Sequence, residues 1–155
     1  MKISAQEEYG IRCLLQLGKA RGGSLTISEI ARAEGLSREY VAKLMRLLRR
    51  AGLVQSARGQ AGGYKLSRPL EEISVAEALA ALGGKLWDPA FCRQHPGLRA
   101  SCSHTPDCNV QRLWRRVQNA VDGVLDRVSL KDLVEPSAPD PAPPPRDIGL
   151  HILTR

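Results

Sequence analysis

Three cysteines, Cys92, Cys102 and Cys108, stand within 17 positions of one another, in a Pro/Gly/Ser-rich stretch directly ahead of an amphipathic segment. Thiols at this density suit an iron–sulfur cluster or zinc, because soft, negative sulfur stabilises such metals; their other use is reversible oxidation. A cluster needs about four protein ligands, so three cysteines leave one place open. His104 and Asp107, inside the same loop, are local candidates for it, and zinc with His104 or His95 is an alternative. The fourth cysteine, Cys13, lies among Ile11, Leu14 and Leu15 and reads as a small core hydrophobe. The chain has no run of about 18 apolar residues and no basic start leading into an apolar stretch, so a cytoplasmic protein without a membrane partner is expected. In a reducing compartment clustered cysteines are ligands or redox sensors rather than structural disulfides. The three histidines fall in no acid/base or nucleophile arrangement and no glycine loop would cradle a phosphate, so an enzyme is not expected.

The elements that must position this loop are legible upstream of it. Residues 1–70 hold 13 Lys/Arg against 5 Asp/Glu, while residues 71–155 hold 10 against 11, so the cationic surface belongs to the first half. The spacing of Tyr9, Ile11, Leu14, Leu15 and Leu17 predicts a helix over 5–20, closed by Gly22-Gly23. Thr26 with Glu29 is a capping-box pair opening a short helix, 27–34, and Gly35 supplies the turn after it. Ser37 caps a third helix whose buried stripe is Val41, Leu44, Met45, Leu47 and Leu48 and whose other face carries Arg38, Tyr40, Lys43, Arg46, Arg49 and Arg50. Two helices across a glycine turn, the second presenting cations, form a helix-turn-helix, and residues 53–66 then read as strand, glycine-rich turn, strand. That hairpin is a wing with Arg58 and Gly59 at its tip. Base and phosphate contacts to double-stranded DNA are expected from Arg38, Tyr40, Lys43, Arg46, Arg58 and Gly59. The cations Arg49 and Arg50 suit the helix C-terminus.

Ser74 with Glu77 opens another helix over 74–83. After the cysteine loop, Val110, Leu113, Trp114, Val117, Val121, Val124, Leu125 and Val128 follow the spacing of one helix face. A helix of that length behind a small winged domain is expected to pair with its copy, and a two-fold dimer would set two recognition helices about 34 Å apart on a palindromic site. The expected fold is mostly α with a small β-wing. A winged helix-turn-helix domain occupies 1–70, and the cysteine loop and dimerisation helix occupy 71–134. A Pro-rich tail, 135–155, is expected to be disordered.

The N-terminal Met-Lys-Ile-Ser, the string Ile-Ala-Arg-Ala-Glu-Gly-Leu-Ser-Arg-Glu-Tyr-Val, the wing Arg-Gly-Gln-Ala-Gly-Gly-Tyr, the loop cysteines and Cys-Asn-Val-Gln-Arg-Leu-Trp together resemble the Rrf2 winged-helix regulators over residues 1–134. The resemblance implies a homodimeric repressor or activator with an iron–sulfur cluster on Cys92, Cys102 and Cys108. Nitric oxide, redox state or iron status would be its signal. Five residues separate the second and third cysteines, as in the family; the nine between the first and second exceed the family spacing, so two-iron and four-iron clusters both stay open. Some members place a histidine three residues after the last cysteine, where this chain has Gln111, a poor iron ligand. Others use an acidic residue on the first helix of the partner subunit, a position matched by Glu8. Glu8 is therefore the preferred fourth ligand, with His104 and Asp107 as rivals. Members with a glutamate at the position of Lys43 differ from this chain by a charge reversal, so their operator does not carry over. The alternative reading is a cluster-free or zinc-binding regulator that uses cysteine oxidation or a protein partner as its signal.

Overall fold

A computed structural model describes residues 3–57, 62–85, 87–98, 102, 104 and 107–135. Its elements are α1 (Ala5–Lys19), α2 (Ile27–Glu34), α3 (Arg38–Arg50), β1 (Val54–Ala57), β2 (Gly63–Leu66), a 3₁₀ turn (Leu70–Glu72), α4 (Val75–Leu82), α5 (Pro89–Gln94), α6 (Asn109–Leu125) and α7 (Leu130–Val134). The architecture is mostly helical with a two-stranded antiparallel sheet in the winged-helix order. The wing tip, with Arg58 and Gly59, and the tail 136–155 lie outside the described residues.

Helix starts are set by local chemistry. Ser4, Thr26, Ser74 and Ser129 each accept the N–H three residues on, while Glu7, Glu29, Glu77 and Asp132 reach back to the cap N–H. Four orphan helix ends are thereby closed by reciprocal capping boxes. Hydrogen bonds from Thr26 hold the Glu29 carboxyl below the usual carboxylate range. For Glu77 the bond from Arg68 is the larger cause, followed by the Ser74 backbone. Between α2 and α3, Gly35 takes φ +67°, a left-handed conformation that side chains resist.

α1 is the spine of the core. Its Cys13, Leu14 and Leu17 meet Ile30 and Ala31 of α2 and Val41, Leu44, Met45 and Leu48 of α3. Each of these larger side chains, fully buried, contributes about 1.5–3 kcal/mol of burial free energy. Burial pushes the Cys13 thiol up to about 12, as expected of a neutral core residue that takes no part in ligation. The ion pair from Arg12 Nε to Glu34 Oε2, 2.6 Å long with the Glu34 side chain 6% exposed, ties the end of α2 to α1. Gln16 donates to the other oxygen of the same carboxylate. The core also crosses residue 70: Ile73, Ala78, Leu82 and Leu130 are buried in it, and both α4 and α7 pack on α1.

The wing pairs Val54 with Leu66, Gln55 with Lys65, Ser56 with Tyr64 and Ala57 with Gly63. Leu25 extends it by exchanging two backbone hydrogen bonds with Tyr64, at 2.8 and 2.9 Å. This third segment comes so close that a Cβ on Gly63 would lie 2.4 Å from the Leu25 carbonyl oxygen. Backbone cannot yield there as a flexible side chain would. Gly63→Ala should therefore destabilise the domain by about 1–3 kcal/mol, read as a lowered urea midpoint. An unchanged midpoint would contradict the close approach.

The sequence spacing carries the last helix on to Val128, but α6 ends at Leu125. The reason is tertiary. Val75 donates to the Val128 carbonyl and Leu130 donates to that of Ile73, an antiparallel bridge between Ser74 and Ser129 that buries Leu130 completely and starts α7.

Candidate nucleic-acid interface and cysteine loop

α3 forms where it does because Ser37 accepts the Tyr40 N–H and because its apolar residues fall on one face. Val41, Leu44, Met45 and Leu48 are all fully buried, which fixes the rotation of the helix and turns Arg38, Lys43, Arg46, Arg49 and Arg50 to solvent. Among the described residues none of these five cations makes an ion pair. A helix surface of unpaired cations is what phosphate and base edges in a major groove require. Tyr40 is placed differently. It is half-buried, its ring edge-on to Tyr9 with centroids 6.1 Å apart, and Lys43 Nζ lies 6.0 Å from its centroid. Tyr40 thus supports Lys43 more than it stands out beside it. Packing against Tyr9 is a tertiary effect that helix spacing does not reveal.

The wing projects from the C-terminal end of α3 through the buried Leu53 and Val54. Its described strands leave Gln55 and Ser56 exposed; Arg58 and Gly59 fall between the two strands in the sequence, outside the described residues.

The three loop cysteines are free and each is half-buried. Cys92 rides on α5, which Asp88 opens by accepting the Ala90 N–H at 2.6 Å. Cys108 is the N-cap of α6, its sulfur 3.4 Å from the Gln111 nitrogen and accepting that N–H. Three free thiols on one loop are donors of the soft kind that thiophilic metals take. The donor set therefore fits a soft metal or an iron–sulfur cluster. Among the described residues, however, no three His, Cys, Asp or Glu side chains converge. His104 is exposed, and Asp107 is held by Arg112. His95 stacks on Phe91 and places Nδ1 2.9 Å from the Phe91 carbonyl oxygen. Glu8 is exposed on the first turns of α1, open to a second molecule.

α6 carries two adjacent stripes where the sequence suggests one. Val121 and Leu125 are half-buried and Gln118 is 7% exposed, all on the side facing the domain, where α6 packs on α4. On the neighbouring stripe Val110, Leu113 and Val124 are 59, 54 and 64% exposed and, with Val117 and Ala120, repeat at spacings of three and four. This is the spacing of a helix seam that meets another helix. Among the described residues no helix is long and apolar enough to cross a membrane.

The model of the family described as Rrf2, iron-dependent transcriptional regulator, matches residues 3–136. The HTH-type transcriptional regulator IscR of Photorhabdus laumondii is 30% identical over 135 residues, which cover 86% of this chain and 79% of that protein. Among solved structures, CymR, the global cysteine regulator of B. subtilis, superposes with a TM-score of 0.67 at 32% identity, over 86% of this chain and 96% of that one. IscR of T. potens gives the same TM-score at 31% identity, over 86% of each chain.

Proposed function

The chain belongs to the Rrf2 family of DNA-binding transcriptional regulators, and from that premise we propose that it acts as a cytoplasmic homodimer on a palindromic operator, with its affinity set by an iron–sulfur cluster on the cysteine loop. The observation that carries this reading is the pairing of two surfaces in one small chain. One is the row of exposed cations on α3; the other is the group of three free thiols, of which Cys108 heads the helix that presents an exposed apolar seam.

Arg38 and Lys43 reach guanine edges in the major groove, Arg46 meets phosphate, and Arg58 with Gly59 enters the minor groove from the wing tip. The seam of α6 joins two copies and so spaces the two copies of α3. Cys92, Cys102 and Cys108 would hold the cluster, of two or four irons, and Glu8 of the second copy would complete the ligand set. When bound, such a cluster would supply a redox-active centre sensitive to nitric oxide, oxygen or iron shortage. Because Cys108 both caps α6 and belongs to the ligand set, movement of its sulfur reaches the first turn of the seam helix directly. A carboxylate from the other copy makes dimer geometry part of the same response.

Replacing Glu8 tests the ligand set. Glu8→Ala should lower iron retained per subunit after anaerobic gel filtration by at least about half, through loss of the hard oxygen ligand. His104→Ala and Asp107→Ala should leave iron content unchanged. Iron loss in either of those and not in Glu8→Ala would move the fourth ligand into the loop.

A second reading is a cluster-free regulator in which the loop thiols are themselves oxidised, or a partner protein is bound. It is favoured by the likeness to the global cysteine regulator and by the absence, among the described residues, of three converging donors. Zinc on the three cysteines with His104 or His95 belongs to the same class. Colourless, iron-free protein that still binds DNA would select this reading.

A further inference from the structure

Gln118, 7% exposed, is a buried polar residue that faces neither the cationic side of α3 nor the exposed seam. Its Oε1 accepts the Trp87 backbone N–H at 2.8 Å, and its Nε2 donates to Asp122 Oδ1 at 2.7 Å. Trp87 directly precedes Asp88, the cap of the helix that bears Cys92. The cysteine loop is therefore fastened to α6 at two points: at its far end by Cys108 as N-cap, and at its near end by Gln118. Ten residues of helix separate these points, about 15 Å along the axis.

We propose that Gln118 is a positioning residue that latches the Cys92 arm to α6, so that Cys92 and Cys108, at the two ends of the cysteine loop, are held at a defined separation by that helix. The proposal rests on the reading of the cysteine loop as the sensor.

The chemistry of the latch is specific. A buried glutamine is costly unless its amide is satisfied on both sides, and here one side takes the backbone of the arm while the other is oriented by Asp122. Trp87 offers no substitute, because its indole Nε1 is buried without an acceptor among the described residues, so the ring supplies packing and no hydrogen bond. Lys85 adds only a long contact, its Nζ 4.0 Å from Asp122 Oδ2. Removing the amide frees the arm while the core, which α6 does not enter, stays intact.

The test uses peptide-resolved alkylation by iodoacetamide on the metal-free, reduced protein. Gln118→Met keeps the length of the side chain and loses both hydrogen bonds. Alkylation of Cys92 should speed up about five- to tenfold, the effect of one net hydrogen bond, while Cys13, fully buried in the core, stays protected. The double variant Gln118→Glu with Asp122→Asn exchanges the donor and acceptor between the two side chains, keeps an oxygen for the Trp87 N–H, and should restore the slow rate. An unchanged Cys92 rate in Gln118→Met would overturn the proposal. So would Cys13 alkylation rising in step with Cys92, because that pattern reports opening of the whole domain. The metal-free protein separates this outcome from the sensor reading: wild-type protein that holds no iron would remove the cluster and leave the latch standing.

Discussion

Lys43→Glu combined with Arg46→Glu should weaken operator binding by about a thousandfold or more, with no change in the thermal midpoint. Each base-edge or phosphate contact contributes about 1–3 kcal/mol, and a dimer loses four of them at once. The reversed charges add repulsion from the phosphates. Stability is expected to hold because both side chains are exposed and, among the described residues, neither forms an ion pair. Single alanine variants divide the roles: Arg46→Ala should weaken all sequences alike and reduce the salt slope by about one, whereas Lys43→Ala should relax preference at one base pair. Titration of labelled operator and of unrelated duplex DNA at several salt concentrations measures both. Affinity and slope unchanged in the double variant would place the DNA surface elsewhere on the molecule.

Leu113→Asp with Val124→Asp should convert the dimer to monomer and with it abolish tight binding to a palindrome. The two residues lie 54 and 64% exposed on the outward stripe of α6 and face away from the domain core. In a dimer each pair of carboxylates would be buried without partners, a cost of several kcal/mol per charge that exceeds what a single helix seam supplies. The monomer is expected to keep its fold, since none of the seam residues belongs to the core that holds α1, α2 and α3 together. Sedimentation velocity reads the mass, and a single half-site should then bind as weakly to the variant as to one wild-type subunit. A variant that stays dimeric would show that the exposed stripe is not the subunit contact.

Legibility in the sequence tracks the range of the interactions involved. The helix-turn-helix was readable because its determinants are local: Thr26 and Glu29 close one helix end, Gly35 provides the positive φ, Ser37 caps the next helix, and the stripe from Val41 to Leu48 sets its rotation. The end of α6 was not, because Val128 continues the apolar spacing and only the pairing of Val128 with Val75 takes the backbone out of the helix. The stripe on α6 reads as one face until α4 covers one flank and leaves the other bare. Tyr40 shares the spacing of the cations, and only contact with Tyr9 turns it partly inward. Gln118 carries no signal in a string of residues; its partner is 31 positions away. The cysteines suggest soft-ligand chemistry by type and spacing, but how closely they approach one another depends on the path of the loop, and among the described residues no three such donors converge.

The most direct measurement is the iron, sulfide and zinc content per subunit, with an absorption spectrum, of protein purified without oxygen from a host that supplies clusters. The account predicts brown protein with stoichiometric iron and sulfide, lost in the serine variants of Cys92, Cys102 and Cys108. The iron-to-sulfide ratio and the spectrum then separate two-iron from four-iron forms. Colourless, well-folded dimer with zinc alone, or with no metal, would contradict the cluster mechanism and leave a DNA-binding regulator that senses through its thiols.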